Sequence, residues 1–443
     1  MLKSSSGNRS ALALVPAAVA VALALGSAST TAAADELSDL KASAQAMLKR
    51  IDQLESKAKS AEETNDKQTD QIAQAKAAMG TWVQNFTWKG DFRFRNENID
   101  PEFQGARNRD RMRVRAGFVA KVNDTIKTEV ELSTSESGVV AGEADPRSPN
   151  QTLTDGNSRK GVYVDLAYAE WQPTADLKLT AGKMKYPWVR PGQSVFFDGD
   201  VNPEGLAVNF SHGDFFASTF YNDLKERNTV SSTNLNASGD SNMFGAQVGW
   251  KPQIGASKLT LAASFFDLNS VQRRAPAYST SNGNTTTNTG CIGGGTGCLA
   301  SDYNLLELLG EWTVTLAGRP LTLYGDYFKN KAAINSFDSA YSTGAMYGKA
   351  SDPHTWEIGY YYAKVHKDAL YGEYIDSDWG GGNTDAKGHV FKYAYVLAKG
   401  WTFNATYFLN KTNIDVGTAV PGVTGTVFNR GYKRLQLDMN FKF

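Results

Sequence analysis

Three features of the sequence predict an all-β fold, a sixteen-stranded antiparallel transmembrane β-barrel preceded by a helical coiled-coil segment. They are strands with two unlike faces, connections that alternate between tight and long, and an arginine ladder that no dry core could hold. The ladder is the sharpest of the three. In the stretch from Asn108 to Thr125, Arg109, Arg111, Arg113 and Arg115 fall on one side of an extended chain, and Met112, Val114, Ala116 and Phe118 on the other. Four guanidinium groups cannot sit unpaired among apolar side chains, so this strand needs one apolar neighbour and one wet one. A barrel in lipid with a charged lumen supplies both.

Composition agrees. Among 443 residues, 46 Lys and Arg balance 46 Asp and Glu, which gives no sign of a nucleic-acid surface. The mean hydropathy of −0.40 argues against helical membrane spans, but a barrel with polar inward residues is compatible with it.

Taken in order, residues 1–34 read as a secretory signal peptide. Lys3 and Arg9 precede the apolar run Ala11–Leu25, and Ala32–Ala34 offer small residues for cleavage before Asp35. Residues 35–80 read as a helical stalk. Leu37, Leu40, Ala44, Met47, Ile51, Leu54, Ala58, Ala61, Asn65, Gln68, Ile72, Ala75 and Met79 follow alternating steps of three and four, with no Gly or Pro before Gly80. That is the seam of a helix about 65 Å long. Left single, the seam would stay wet, so self-association is expected; Asn65 and Gln68 weaken its apolar packing and can fix register.

Residues 81–443 read as the barrel. Strands are expected at 82–95, 108–122, 125–135, 160–172, 175–185, 204–211, 214–222, 242–251, 256–268, 302–316, 320–330, 354–364, 369–377, 389–398, 401–410 and 430–443. Their number is even, as closure of a single-chain antiparallel barrel requires. Tight links such as Val122–Thr125, Ser211–Asp214, Val365–Asp368 and Ala398–Gly400 alternate with long ones at 96–107, 136–159, 186–203, 223–241, 269–301, 331–353, 378–388 and 411–429. One rim is therefore compact and the other carries extended loops, as in outer-membrane barrels with short periplasmic turns. Tryptophans near strand ends, Trp82 to Trp401, suit interfacial girdles, and Leu435–Phe443 alternates as a closing strand should.

Trp88–Arg95, the ladder Arg107–Phe118, Tyr168–Trp171, Leu179–Met184, Tyr186–Trp188 and the terminal Phe443 resemble bacterial outer-membrane porins of the broad group related to phosphate-selective and DcaP-type porins. The resemblance covers the chain after Gly80. It implies a trimeric, water-filled barrel in the outer membrane of a Gram-negative cell, passing small hydrophilic and often anionic solutes. Its partners are outer-membrane lipid and lipopolysaccharide, and the stalk, in the periplasm, offers a surface for peptidoglycan. The dedicated lysine-rich ladder of the phosphate-selective members is missing here.

Diffusion needs a bore, a constriction and wall charges, without catalytic groups, metal or cofactor. Arg93 and Arg95 share a face of the first strand, and Arg109, Arg111, Arg113 and Arg115 share one on the second. Exposing such a ladder to lipid costs about 2–4 kcal/mol per residue at midplane, so a lumenal position is expected. The connection 186–203 is held by Pro187, Pro191 and Pro203, and its Trp188, Val195, Phe196 and Phe197 suit attachment to the wall. By the resemblance it folds inward, setting Arg190, Asp198 and Asp200 at the narrowest point, with the acids facing the arginines. Cys291 and Cys298, in a Gly/Thr-rich loop of an exported chain, are expected to form a disulfide. Two other classes remain open on sequence alone: a barrel lipid hydrolase, for which His212, His354, His366 and His389 lack a serine partner, and an envelope tether, for which the stalk speaks.

Overall fold

The computed structural model describes residues 31–78, 83–136, 144–153, 156–192, 194–227, 239–278, 280–293 and 295–443. The expected leader lies outside the described residues apart from its last four, as do Trp82 and the seam residue Met79. The chain divides into two units, one up to Thr81 and one from Trp82 onward.

The first unit is one helix, α1 (Thr31–Ala78), 48 residues long. Its interior has no Gly or Pro to break the backbone ladder. Met47, Leu48, Ile51 and Leu54 stand 51–65% exposed, so this part of the apolar stripe is uncovered.

The second unit is a closed antiparallel barrel. In order its strands are β1 (Phe86–Pro101), β2 (Arg107–Lys121), β3 (Ile126–Thr134), β4 (Val162–Trp171), β5 (Leu177–Lys183), β6 (Glu204–His212), β7 (Phe215–Lys225) and β8 (Ser241–Trp250). They continue with β9 (Ser257–Asn269), β10 (Tyr303–Leu316), β11 (Arg319–Asn330), β12 (Ser339–Gly348), β13 (Trp356–Val365), β14 (Ala386–Ala398), β15 (Trp401–Thr412) and β16 (Arg430–Lys442). Each pairs with the next, and β16 returns to β1, with Arg95 opposite Asp438 and Asp91 opposite Lys442. Two-residue segments at Gln151–Thr152 and Gln253–Ile254 add to the same sheet. Closure leaves no strand edge for lipid to strand without hydrogen bonds.

The sixteen strands match the expected number, but one was misplaced. Residues 369–377 are not a strand; they belong to an inward loop, 366–385, whose Leu370, Tyr371, Tyr374 and Ile375 are all buried. Their apolar content reads like a strand because each packs on the barrel interior. The strand that replaces it, β12, lies inside the expected 331–353 connection. Its inward positions are small or neutral, Ala340, Ser342 and Gly344, so two-faced patterning is faint there. Val365–Asp368 is accordingly the start of a long loop, and the tight link falls at 349–355. The expected long connection 96–107 shrinks to 102–106, because β1 runs on to Pro101, so the alternation of short and long connections holds from β2 onward.

The interior is not uniform. From β7 to β14 the inward positions carry an aromatic and aliphatic cluster, including Phe220, Phe266, Tyr303, Phe328, Tyr361 and Val390, interleaved with buried polar residues such as Gln247, Ser264, Glu307 and Asp326. Two loops cover them, 184–203 and 366–385. Trp188 stacks on Phe220 with ring centroids 4.4 Å apart, and Phe196 meets Phe328 edge-on at 5.3 Å. The loops are tied to each other: Asp198 N donates to Tyr374 O at 2.7 Å, and Asp376 N to Val195 O at 3.0 Å. Trp188 and Trp379 are therefore packing residues and not girdle residues. The outward tryptophans Trp88, Trp171, Trp250, Trp312 and Trp401 sit toward the turn-side ends of their strands, while tyrosines such as Tyr341, Tyr360 and Tyr407 face out elsewhere.

Trp379 is wholly buried at the heart of loop 366–385. Trp379→Ala should cost about 3–5 kcal/mol, read as a lower denaturation midpoint and new protease cleavage within 366–385. A variant with wild-type midpoint and protection would show that the ring does not hold the loop.

Candidate functional site: the charged wall of the lumen

The register of β1 against β2 creates an electrostatic problem. Arg93 stands opposite Arg113 and Arg95 opposite Arg111, while Asp91 faces Arg115 and Glu97 faces Arg109. Like charges directly across a sheet repel, so acids must come from within the ladder and from other elements. Alternation puts this whole row on the inward face: Arg93, Arg95, Arg111 and Arg113 are buried, with Val114 and Phe94 exposed on the other side.

Asp91 serves two of them, taking Arg113 and Arg115 each at 2.7 Å. Glu97, itself fully buried, contacts Arg109 and Arg434. On the far side of β1, the closing strand supplies Asp438, which accepts two bonds from Arg95 at 2.7 and 2.8 Å. The inward loop 366–385 supplies Asp378, which lies 2.9 Å from Arg95 and 2.7 Å from Arg434. Burial alone would raise the Asp378 carboxyl, but Arg434 and then Arg95 overcome it and hold the group below the usual carboxylate range.

Arg93 and Arg111 are served less well. Arg93 donates to the neutral Asn150 Oδ1 at 2.5 Å. Arg111 donates to Asn150 O at 3.2 Å and Ser148 Oγ at 3.3 Å, with Glu136 no closer than 3.6 Å and Glu97 at 3.8 Å. The Nε of each has no hydrogen-bond partner among the described residues.

The expected constriction loop, 184–203, lies within the barrel, where Val189 N, Gly192 N and Ser194 Oγ bond to Gln247, Glu311 and Asp326 of the wall, and Asp200 lines a cavity. Arg190 donates to Phe197 O at 2.5 Å and covers the Tyr186 ring at 4.6 Å. Asp198 accepts the backbone N–H groups of Asp200 at 2.9 Å and Ser377 at 2.8 Å. Burial, followed by the charges of Asp376 and Asp200, pushes the Asp198 carboxyl well above its ordinary value. Among the described residues, the acids within 3 Å of the wall arginines are Asp91, Glu97, Asp378 and Asp438, with Glu136 and Glu131 farther off at 3.6 and 4.0 Å. Arg434, Asp378 and Asp438 were missed as site residues from sequence. The signal for two of them was present: in Arg434–Asp438 the polar residues Arg434, Gln436 and Asp438 alternate with Leu435 and Leu437.

Two cavities flank loop 184–203. One of about 1160 Å³ is lined by Asp165, Asp200, Asn202 and Asp223 among others. Another of about 400 Å³ is lined by Glu170, Lys178, Val189, Asn209 and Ser218 among others. Cys291 and Cys298 are disulfide-bonded in the connection between β9 and β10.

A family model described as "Putative porin" matches residues 98–292, less than half of the chain. The structure of OprB from Pseudomonas putida, solved at high pH, superposes with a TM-score of 0.53 at 11% identity, covering 82% of this chain and 95% of that one. The fold is a porin-type barrel. OmpT of Vibrio cholerae, in a trimer form, is less similar, with a TM-score of 0.45 at 13% identity over 81% of this chain and 99% of its own. A mutant porin of Rh. blastica gives 0.43 at 12% identity, with 81% and 100% covered. No curated protein sequence matches. In this porin-type barrel, arginine–carboxylate pairs cluster on the β16–β1–β2–β3 wall, while the wall that the two loops cover carries the aromatic cluster and the buried acids Glu307 and Asp326.

Because the Asp378 carboxyl is held low, its stabilising contribution is complete above the ordinary carboxylate pKa and is lost only as pH falls below it. Asp378→Asn should destabilise the docked loop by about 3–5 kcal/mol, the cost of stripping a buried pair of one partner. Proteolysis of 366–385 should be enhanced in the variant at pH 7, with wild type resisting until the pH drops below that range. Equal protection of both proteins at pH 7 would show that the pair does not hold the loop.

Proposed function

We propose that the protein is an outer-membrane porin that passes small hydrophilic solutes by passive diffusion, with a bias toward anions. The barrel with a polar, partly open side supports diffusion. The bias rests on one observation above the rest: among the described residues Arg93 has no ion-pair partner, Arg111 has only Glu136 at 3.6 Å and Glu97 at 3.8 Å, and the buried Nε of each lacks a hydrogen bond. A buried cation that protein acids leave uncompensated favours anions from the solution beside it. Asp91, Glu97, Asp378 and Asp438 neutralise most of the other arginines, so the bias is modest. Arg93, Arg95, Arg109, Arg111, Arg113 and Arg115 form the wall, Arg190 and Asp198 brace the loop that narrows the bore, and Asp200 lines the cavity beside that loop.

Finer features of this reading are a trimer in the outer membrane of a Gram-negative bacterium and kinship with the phosphate-selective and DcaP-type group, for which the arginine ladder speaks. The exposed stripe of α1 supports self-association of the helix, as a periplasmic stalk with a surface for peptidoglycan. A tether without a channel is the competing reading that this stripe favours.

Liposomes carrying the protein should swell in small sugars and organic acids; a tether would leave them impermeable. In planar bilayers under a salt gradient, Arg93→Ala/Arg111→Ala should move the reversal potential toward cations. Arg113→Ala, which also frees Asp91, should move it in the same direction and less steeply per charge removed. An unchanged reversal potential in the double variant would sink the anion bias.

A further inference from the structure

The outward face of the barrel carries a charge arrangement that the channel does not use. At the loop-side end of β13, β14 and β15, Lys364 stands directly opposite Lys387, and Lys387 directly opposite Lys411. All three occupy outward positions, since their neighbours Ala363, Val365, Ala386 and Asn410 are buried on the inward side. Residues directly across an antiparallel pair are about 5 Å apart, and like charges at that spacing repel. No acid relieves them: none of the three has an ion pair or side-chain hydrogen bond among the described residues, whereas Lys329 nearby pairs with Asp338 at 2.7 Å. On β16, Lys433 faces Asp100 across the sheet and lies outside the row.

The row is local to one arc. The corresponding outward row on β5 to β9 reads Lys183, Glu204, Asp223, Asn242 and Asn269, mixed and partly acidic. It also has a fixed depth. Two residues nearer the membrane centre on the same strands lie Tyr362, His389 and Leu409, and the Tyr360 hydroxyl meets His389 Nδ1 at 2.9 Å. Aromatic amphipathic groups mark the level at which acyl chains give way to headgroups. Tyr341, also outward, stands directly opposite Lys364, so the lysines lie at the outer edge of this band, where acyl chains meet headgroups.

We infer that Lys364, Lys387 and Lys411 form a docking row for the phosphorylated headgroup of a glycolipid in the outer leaflet, such as lipopolysaccharide. Three cations without acids, above an aromatic band that receives the acyl chains, complement a phosphate group carried on a membrane-anchored lipid. This rests on the reading of the barrel as an outer-membrane protein with its short turns toward the periplasm. Bound phosphate relieves the repulsion between the lysines and fixes this arc against lipid.

The test uses the full-length protein in detergent, titrated with diphosphorylated lipid A and followed by native mass spectrometry. The wild type should bind the lipid, and Lys364→Gln/Lys387→Gln/Lys411→Gln should weaken binding by about a hundredfold, each basic side chain at an anionic surface contributing roughly a factor of five. Asn242→Ala/Asn269→Ala, outward on the other arc, should bind as wild type. Lys387→Gln alone, at the middle of the row, gives a smaller loss if the triple variant does not fold. Equal binding by wild type and lysine variants overturns the inference, as does equal binding of a zwitterionic phospholipid. Inorganic phosphate that displaces the lipid completely at comparable concentration also overturns it, since the row would then hold the free anion. Single-channel conductance of the same samples separates the two readings: channels without lysine-dependent lipid binding refute this inference and leave the porin reading standing.

Discussion

Every strand in this barrel depends on one constraint: a backbone amide or carbonyl facing lipid finds no water, so it must find another strand. The pairing of β16 with β1 satisfies that constraint, and it does more than close the sheet. It sets Asp438 opposite Arg95 and brings Arg434 within reach of Glu97, so the seam of closure and the charged wall are one structure. A break at this seam would expose hydrogen-bonding edges and strip two arginines of their counter-charges together.

Closure fixes the outside of the barrel but leaves its inside to be solved by side chains. The solution here is lopsided. Strands β7 to β14 turn apolar groups inward, which in an empty bore would face water, and loops 184–203 and 366–385 cover them with aromatic residues. The loops thus fill one side of the lumen as a protein core fills a soluble domain, with Trp188, Phe197 and Trp379 packed as in any interior. Solute is left the polar side. Because the second loop carries Asp378 to the arginine wall, filling the apolar side and trimming the charge of the polar side are done by the same twenty residues, 366–385.

Much of this was legible in the residues because barrel physics writes itself locally. Alternation in Arg109–Phe118 marks two unlike solvents, and turn chemistry at Val122–Thr125 or Ser211–Asp214 marks the compact rim. The errors came where the lumen is not water. Residues 369–377 are apolar for the sake of a core inside the barrel, and local pattern cannot tell that core from lipid. In β12 the inward Ser342 and Gly344 leave room for covering groups, which weakens the contrast that patterning needs. The acids of the wall were illegible for another reason. Asp378 and Asp438 lie 283 and 343 residues from Arg95, and only register and loop folding bring them together.

The same distinction decides how the arginine ladder should be read. Counted along the chain, seven arginines on two strands suggest a strongly basic channel. Counted in space, Asp91 spans two, Glu97 and Asp378 each bridge two more contacts, and Asp438 takes Arg95 with both oxygens. What selects a passing ion is the charge left after that pairing, since a satisfied pair presents little field beyond its own length in a wet bore. The residue that matters is therefore identified by the partner it lacks. Arg93, held by the uncharged Asn150 amide, is the wall arginine whose charge the described acids leave least compensated.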